Sequence, residues 1–202
     1  MHHWAKGLGS RPHPRYNGLS SAAMEHGEQT SASSVESRWL LKALREAADE
    51  IESQVFGLSE EQLRRRPEDE EWSLKETLLH LRDAEEVYLQ WLPLIVRCDG
   101  AELPEIDIED YPAERDYQSA DLYNALMAFG GLRRETTHIL WALAPDEWER
   151  GGLHPYRGRL TVLQVARDMN EHDLEHLWQM CRLRRQVEEE ETEGPQRRGG
   201  AP

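Results

Sequence analysis

Four segments of the chain repeat apolar residues at intervals of three and four, which predicts four amphipathic helices. They run from about 35 to 56, from Ser73 through "TLLHLRDAEEVYLQWLPLIVR", from about 119 to 143, and from about 161 to 187. Ser73 with Glu76, and Thr161 with Gln164, have the spacing of capping boxes at the starts of the second and fourth helices. Since almost nothing reads as a strand, the sequence predicts an all-α four-helix bundle.

The predicted bundle has one long connection. Residues 99–117, between the second and third helices, are rich in Asp, Glu and Pro and are longer than an ordinary bundle loop. Pro93 should kink the second helix or end its regular part. The stretch "LHPYRGRL", before the fourth helix, predicts a tight turn.

The two ends of the chain differ in composition from its middle. Residues 1–33 are rich in Gly, Ser, Pro, His and Arg and are predicted to be a disordered leader, with Met24 as a candidate start. Residues 34–188 are predicted to form the bundle. Residues 189–202, a glutamate run followed by Gly and Pro, are predicted to be a disordered tail.

The charge balance excludes several classes of function. Lys and Arg number 24 against 39 Asp and Glu, a net charge of -15, which disfavours binding to nucleic acid or to an anionic membrane. The basic clusters "LRRR" and "RLRRQ" are too short to reverse this. No apolar run reaches the roughly 18 residues of a membrane span. Two cysteines make no disulfide framework, so we expect a cytoplasmic protein.

Three histidines are the candidate metal ligands. His172 and His176 lie four residues apart on the apolar stripe of the fourth helix, so both imidazoles face the same way. His80 lies on the inner side of the second helix. One histidine on one helix and an i, i+4 pair on another can supply three nitrogens to a divalent metal and leave one position open. The alternative is that the histidines are core residues, hydrogen-bonded to carboxylates or carbonyls.

Further polar residues lie one turn from these histidines. Asp83 follows His80, and Asp168 precedes His172, so either carboxylate could orient an imidazole. The alternative for both is a solvated or salt-bridged acid. Gln179, one turn after His176, is expected at the mouth of the site.

Other residues have structural explanations. Glu85 falls near the inner stripe of the second helix and would need a buried partner, for which Arg133 on the third helix is the candidate. The tryptophans, Trp72 among them, are most simply explained as packing in the core and at helix ends. The chain contains no GxGxxG, Walker, CxxC or GxSxG motif, so nucleotide cofactors and a serine nucleophile have no support.

The segments "WSLKETLLHLRDAEEVYLQWL" and "LTVLQVARDMNEHDLEHLWQM", with the spacing between them, resemble the DinB/YfiT-like family over roughly residues 34–186. The most specific element is a histidine about seven residues into the second helix together with HxxxHxxQ in the fourth. His80, His172, His176 and Gln179 match it as they stand. The resemblance implies an often dimeric four-helix bundle that holds a divalent metal with three histidines. Members are described as metal-dependent hydrolases or as transferases of bacillithiol, mycothiol or glutathione.

This resemblance predicts a divalent-metal-dependent enzyme, with zinc or nickel as the expected ion. It would activate water or a low-molecular-weight thiol for attack on a small electrophile, as a hydrolase or a thiol S-transferase. A homodimer is expected, with neither nucleic acid nor a membrane as partner. The alternative is a non-catalytic bundle that binds a metal or ligand, because no clear general base accompanies the candidate metal.

Overall fold

The computed structural model describes residues 22–68, 71–106, 108 and 111–197, and over these residues it confirms the predicted four-helix bundle. The long helices of this part are α1 (Ala22–Val55), α3 (Leu74–Arg97), α5 (Leu122–Ala142) and α6 (Val162–Arg197). Two short helices, α2 (Glu60–Arg64) and α4 (Tyr111–Glu114), lie in the connections. None of the helices described combines the length and hydropathy needed to span a bilayer.

Polar side chains fix the starts of the two helices that carry the histidines. The Ser73 N–H donates to Glu76 Oε2 over 2.9 Å, and the Glu76 N–H donates back to Ser73 Oγ over 3.2 Å. Thr161 and Gln164 make the same reciprocal pair at the start of α6. Both predicted capping boxes are confirmed, and they fix where α3 and α6 begin.

The observed helices are longer than the predicted apolar repeats. α1 begins at Ala22 instead of near residue 35, and α6 continues to Arg197 instead of ending near 187. The glutamates that extend α6 favour helix without apolar residues, so periodicity does not detect these turns. α3 also continues past Pro93. Residues 1–21 and 198–202 lie outside the described residues, so the division into leader, bundle and tail stays a prediction.

The tight turn predicted before the fourth helix is present, and two short strands flank it to make a β-hairpin. Strands β1 (Gly151–His154) and β2 (Gly158–Thr161) pair antiparallel, and Gly158 takes a φ of 72° in the turn. A Cβ on Gly152 would lie 2.6 Å from the Leu103 side chain, so this glycine lets the long connection pack closely. Four-residue strands with three glycines carry too little alternation to be recognised from sequence.

The four long helices surround two apolar clusters at different levels. α3 packs against α5 and α6, and α1 packs against the same two helices. The first cluster includes Leu44, Tyr88, Trp91, Leu92, Val165 and Met169. The second includes Ile51, Leu78, Phe129, Met180 and Leu183. Residues 170–179 of α6 fall between the two clusters, and both inward histidines of α6 lie in this interval.

A buried arginine joins all four long helices at this level. From α5, the Arg133 guanidinium donates to Glu85 of α3 over 2.8 and 2.9 Å. It also donates to both Asp173 oxygens of α6, over 2.6 and 2.9 Å, and to the Leu44 carbonyl of α1 over 2.9 Å. The predicted Glu85–Arg133 pair is confirmed. Asp173 was missed because an aspartate beside an apolar stripe looks like a surface residue in the sequence.

Replacing Arg133 tests this connection. Arg133→Met should destabilise the fold by about 3–5 kcal/mol, because it leaves two buried carboxylates without their partner. The neighbouring Arg134 is exposed, so Arg134→Met should change stability by less than about 0.5 kcal/mol. Chemical denaturation of both variants measures the difference. Equal stability of the two variants would contradict the proposed dependence of the bundle on Arg133.

Candidate metal site

The structure brings the three predicted histidines together between α3 and α6. One nitrogen from each of His80, His172 and His176 lies within 4.8 Å of the others. The Nε2 atoms of His80 and His172 are 3.0 Å apart. Two nitrogens held 2.0–2.1 Å from one ion at ordinary coordination angles are about 3 Å apart. The His80–His172 pair therefore already has the spacing of two ligands on one ion, whereas a separation near the 4.8 Å limit has to shorten before all three nitrogens can bind it.

The helix phases explain why the rings converge. On α6, Met169 and Met180 are fully buried, and His172 lies between them on the same stripe with 5% of its surface exposed. His176 is one turn further along and half-buried. On α3, His80 faces α6, and its ring centroid lies 5.1 Å from that of His172. Each ring consequently lies at the boundary between the two apolar clusters.

Burial keeps the three imidazoles neutral. Burial and the charge that His176 would carry lower the pKa of His80 from 6.5 to about 3. Burial also lowers the pKa of His172 well below its ordinary value, assisted by the other two histidines and by Arg133. The pKa of His176 is lowered by burial in spite of its hydrogen bond to Gln179. Neutral imidazole is the form that binds metal, so near neutral pH the ligands need not lose protons.

Gln179 lies against the site, where the sequence analysis expected it. Its Oε1 is 2.9 Å from His176 Nδ1. An amide oxygen only accepts, so this contact places the proton of His176 on Nδ1 and leaves the lone pair on Nε2. A hydrogen bond of this kind typically orients a metal-binding histidine.

The chemistry of the donor set fits a divalent ion. Nδ1 of His80 is buried and finds no hydrogen-bond partner in the part of the chain that the structure describes. With neutral rings and short nitrogen separations, the cluster offers nitrogen ligands of the type that zinc, nickel, copper and iron prefer. Within the described residues, this is the group of histidines, cysteines and acids arranged to hold an ion.

The two candidate aspartates bind other partners. Asp83 is fully buried, accepts a hydrogen bond from the Tyr117 hydroxyl and pairs with Arg115 over 2.7 Å, so it fastens the long connection to α3. Asp168 pairs with Arg157 of the hairpin turn. The structure thus places each of them in a salt bridge, which is the alternative that the sequence left open.

Trp72 is a part of the site that the sequence analysis assigned only to packing. Its ring centroid lies 4.8 Å from that of His80 and 6.1 Å from that of His176, nearly parallel to the latter. Trp72 directly precedes Ser73, the N-cap of the helix that carries His80. This position in the sequence could have indicated that Trp72 contacts the site. The expectation that tryptophans pack in the core is confirmed for Trp91 and Trp148, which are buried, whereas Trp39, Trp141 and Trp178 are 57%, 66% and 71% exposed.

Comparison with known proteins agrees with this fold. A family model described as the DinB superfamily matches residues 43–180. The chain belongs to the DinB superfamily. It is 27% identical over 157 residues to the uncharacterised protein YuaE of Bacillus subtilis, a match that covers 71% of this chain and 96% of YuaE.

A solved structure shares the fold of this DinB protein. YfiT from Bacillus subtilis, described as a probable metal-dependent hydrolase with an unusual four-helix bundle topology, superposes with a TM-score of 0.68 at 20% identity. The match covers 75% of this chain and 87% of YfiT. At this identity the similarity establishes the four-helix fold, and the histidine geometry has to support function separately.

The lowered histidine pKa values predict the pH dependence of the metal-free protein. The unfolded chain takes up protons on its histidines below about pH 6.5, while the folded triad resists protonation. The stability that neutral His80 contributes is therefore present above pH 6.5 and lost as the pH falls. Between pH 7 and 5, about 1–2 kcal/mol of the loss should come from this residue.

Denaturation after removal of metal with a chelator measures this effect. His80→Gln should show a smaller loss of stability between pH 7 and 5 than the native chain. His138→Gln is the matched control, since His138 is exposed on α5. An identical pH dependence in native protein and His80→Gln would show that His80 is not held neutral by the fold.

Proposed function

We propose that this DinB protein is a divalent-metal-dependent enzyme whose ion is held by His80, His172 and His176. The observation that carries the proposal is the convergence of three neutral imidazole nitrogens within 4.8 Å, between two helices whose starts are fixed by capping boxes. Three protein ligands leave a coordination position open, which is typical of catalytic and not of structural metal sites.

The chain's own residues prepare this chemistry. When bound, a divalent ion lowers the pKa of a water or thiol in its open position, which supplies a nucleophile at neutral pH. Gln179 holds the His176 ring in the tautomer that directs Nε2 to the ion. Trp72 packs against His80 and lies nearly parallel to His176, and this apolar wall strengthens interactions between charges in the site.

The reaction class that we propose is attack of activated water or a low-molecular-weight thiol on a small electrophile. Support comes from the open coordination position and from YfiT, which is described as a probable metal-dependent hydrolase. Hydrolase and thiol S-transferase are two versions of this chemistry that differ in the nucleophile. Zinc and nickel are the ions we favour, because borderline-soft ions suit three imidazoles.

One observation favours a second candidate, a non-catalytic bundle that binds a metal or small ligand. Asp83, Glu85, Asp168 and Asp173, four acids of α3 and α6 near the histidines, are each engaged by an arginine. These four carboxylates are therefore poorly placed to act as general bases. The enzyme proposal requires the nucleophile, once activated by the ion, to react without help from any of these four.

Metal content tests the proposal directly. The purified chain should hold close to one equivalent of a divalent metal by plasma mass spectrometry, and His172→Ala/His176→Ala should lose it. His138→Ala, a substitution of an exposed histidine, should retain it. No metal after incubation with zinc, nickel and manganese, or equal metal in the double variant, would contradict the proposal. Turnover of an electrophile with water or thiol would then exclude the non-catalytic candidate.

Homodimer formation and a cytoplasmic location stay predictions. Leu174 and Trp178, one turn apart on α6, are 51% and 71% exposed and are the kind of apolar surface that a second copy could cover. Sedimentation equilibrium of the full chain distinguishes a monomer of 23.5 kDa from a dimer.

A further inference from the structure

The three arginines of the "RLRRQ" motif on α6 have different environments. Arg184 donates to the carbonyls of residues 53, 54 and 56 and so caps the end of α1. Arg185 is exposed. Arg182 extends to the segment before α3, where its Nη2 donates to Glu71 Oε2 over 3.0 Å. Only the role of Arg184 is explained by the fold.

One contact and one helical spacing place Arg182 near residues that touch the triad. Its partner Glu71 directly precedes Trp72, whose ring packs on His80 and His176. Along α6, Arg182 lies one turn beyond Gln179, whose Oε1 contacts the His176 ring. The guanidinium therefore lies on the flank where the half-buried histidines, Trp72 and Gln179 approach the surface.

Unused hydrogen-bonding groups mark this flank. Nε of Arg182 is buried, and within the described part of the chain it has no hydrogen-bond partner. Oε1 of Gln186, one turn further along α6, is buried and unpartnered in the same way. Glu71 thus takes one of the two adjacent donors that a guanidinium offers to a carboxylate and leaves the other unfilled. Unfilled buried groups of this kind are costly unless a ligand satisfies them.

We propose that Arg182, with Gln186 beside it, forms a subsite for a carboxylate group of the substrate that reacts at the metal site. This inference rests on the proposed function, because it places the substrate's reactive end at the triad. Arg182 Nε and Nη2 donate to the carboxylate in a planar pair, and Glu71 is the competitor that occupies Nη2 in its absence. The Gln186 amide can present either its oxygen or its nitrogen to the same ligand.

Because the protein is strongly acidic, a substrate with a carboxylate needs a positively charged side chain where it binds. With a net charge of -15, the surface as a whole repels anions. A guanidinium on the flank of Trp72 and Gln179 reverses this locally and gives a directional contact. The Trp72 ring next to it offers an apolar face for the part of the molecule between the carboxylate and the reactive end.

Matched hydroxamates test the subsite. A hydroxamate binds to an open metal position whatever the physiological nucleophile is, so we would use alkyl hydroxamates of increasing length that end in a carboxylate or in its methyl ester. Binding to the zinc-loaded full chain is measured by calorimetry. At the best length the carboxylate should bind about tenfold more tightly than the ester.

Variants assign that preference to Arg182. Arg182→Gln should bind acid and ester alike, while Arg185→Gln, the same change at an exposed position of the same helix, should keep the preference. Glu71→Gln should strengthen binding of the acid, since it removes the competitor. Arg182→Lys retains the positive charge and should keep part of the preference for the acid. Thermal melting of each variant shows whether it is folded.

The outcomes separate the subsite from the proposed function. If zinc and both hydroxamates bind but the native chain shows no preference for the acid, or Arg182→Gln keeps it, the subsite is overturned and the metal site stands. If zinc binds but neither hydroxamate does, both the open coordination position and the subsite are contradicted. A chain that takes up no zinc overturns the proposed function, and the subsite with it.

Discussion

The buried guanidinium of Arg133 is the interaction on which the bundle and its site depend. A charge at this depth is tolerated only when it is fully paired, and here Glu85, Asp173 and the Leu44 carbonyl come from the three other long helices. This fixes the rotation and height of each helix at one level. Because Asp173 directly follows His172, the same contact fixes the part of α6 that carries the histidines.

Polar groups are thereby concentrated in a layer between two apolar clusters. Apolar packing above and below supplies most of the stabilisation, whereas the layer determines which helix faces meet. Histidines placed here lose their water, remain neutral and direct ring nitrogens toward one another, with His80 Nε2 and His172 Nε2 within hydrogen-bond distance. Low dielectric, neutral ligands and a fixed geometry are the conditions that a metal centre needs. The features that specify the fold also prepare the site.

The sequence predicted the parts of this arrangement that follow from local patterns. Periodicity located the four helices, the capping boxes at Ser73 and Thr161 fixed two of their starts, and HxxxH with an inward His80 identified the cluster. Asp173 and Trp72 were missed because their roles depend on contacts between helices, which spacing along the chain does not encode. The hairpin was missed because its short, glycine-rich strands are stabilised by the neighbouring connection.

The role of the long connection likewise came only from tertiary contacts. Its length made it unusual for a bundle, and the structure shows Tyr117 and Arg115 bound to Asp83 of α3, one turn from His80. An aspartate that looked like a candidate to orient an imidazole is instead the anchor of the connection. Some residues close to the histidines in sequence therefore contact the site, whereas others, such as Asp83, hold the neighbouring elements in place.

X-ray absorption spectroscopy of the zinc-loaded chain tests the central claim most directly, because it reports the ligands of the ion itself. We predict three imidazole nitrogens at about 2.0–2.1 Å and a further light atom that exchanges when a small hydroxamate is added. A sulfur ligand, fewer than three imidazoles, or a closed set of four protein ligands that no hydroxamate alters would contradict the account.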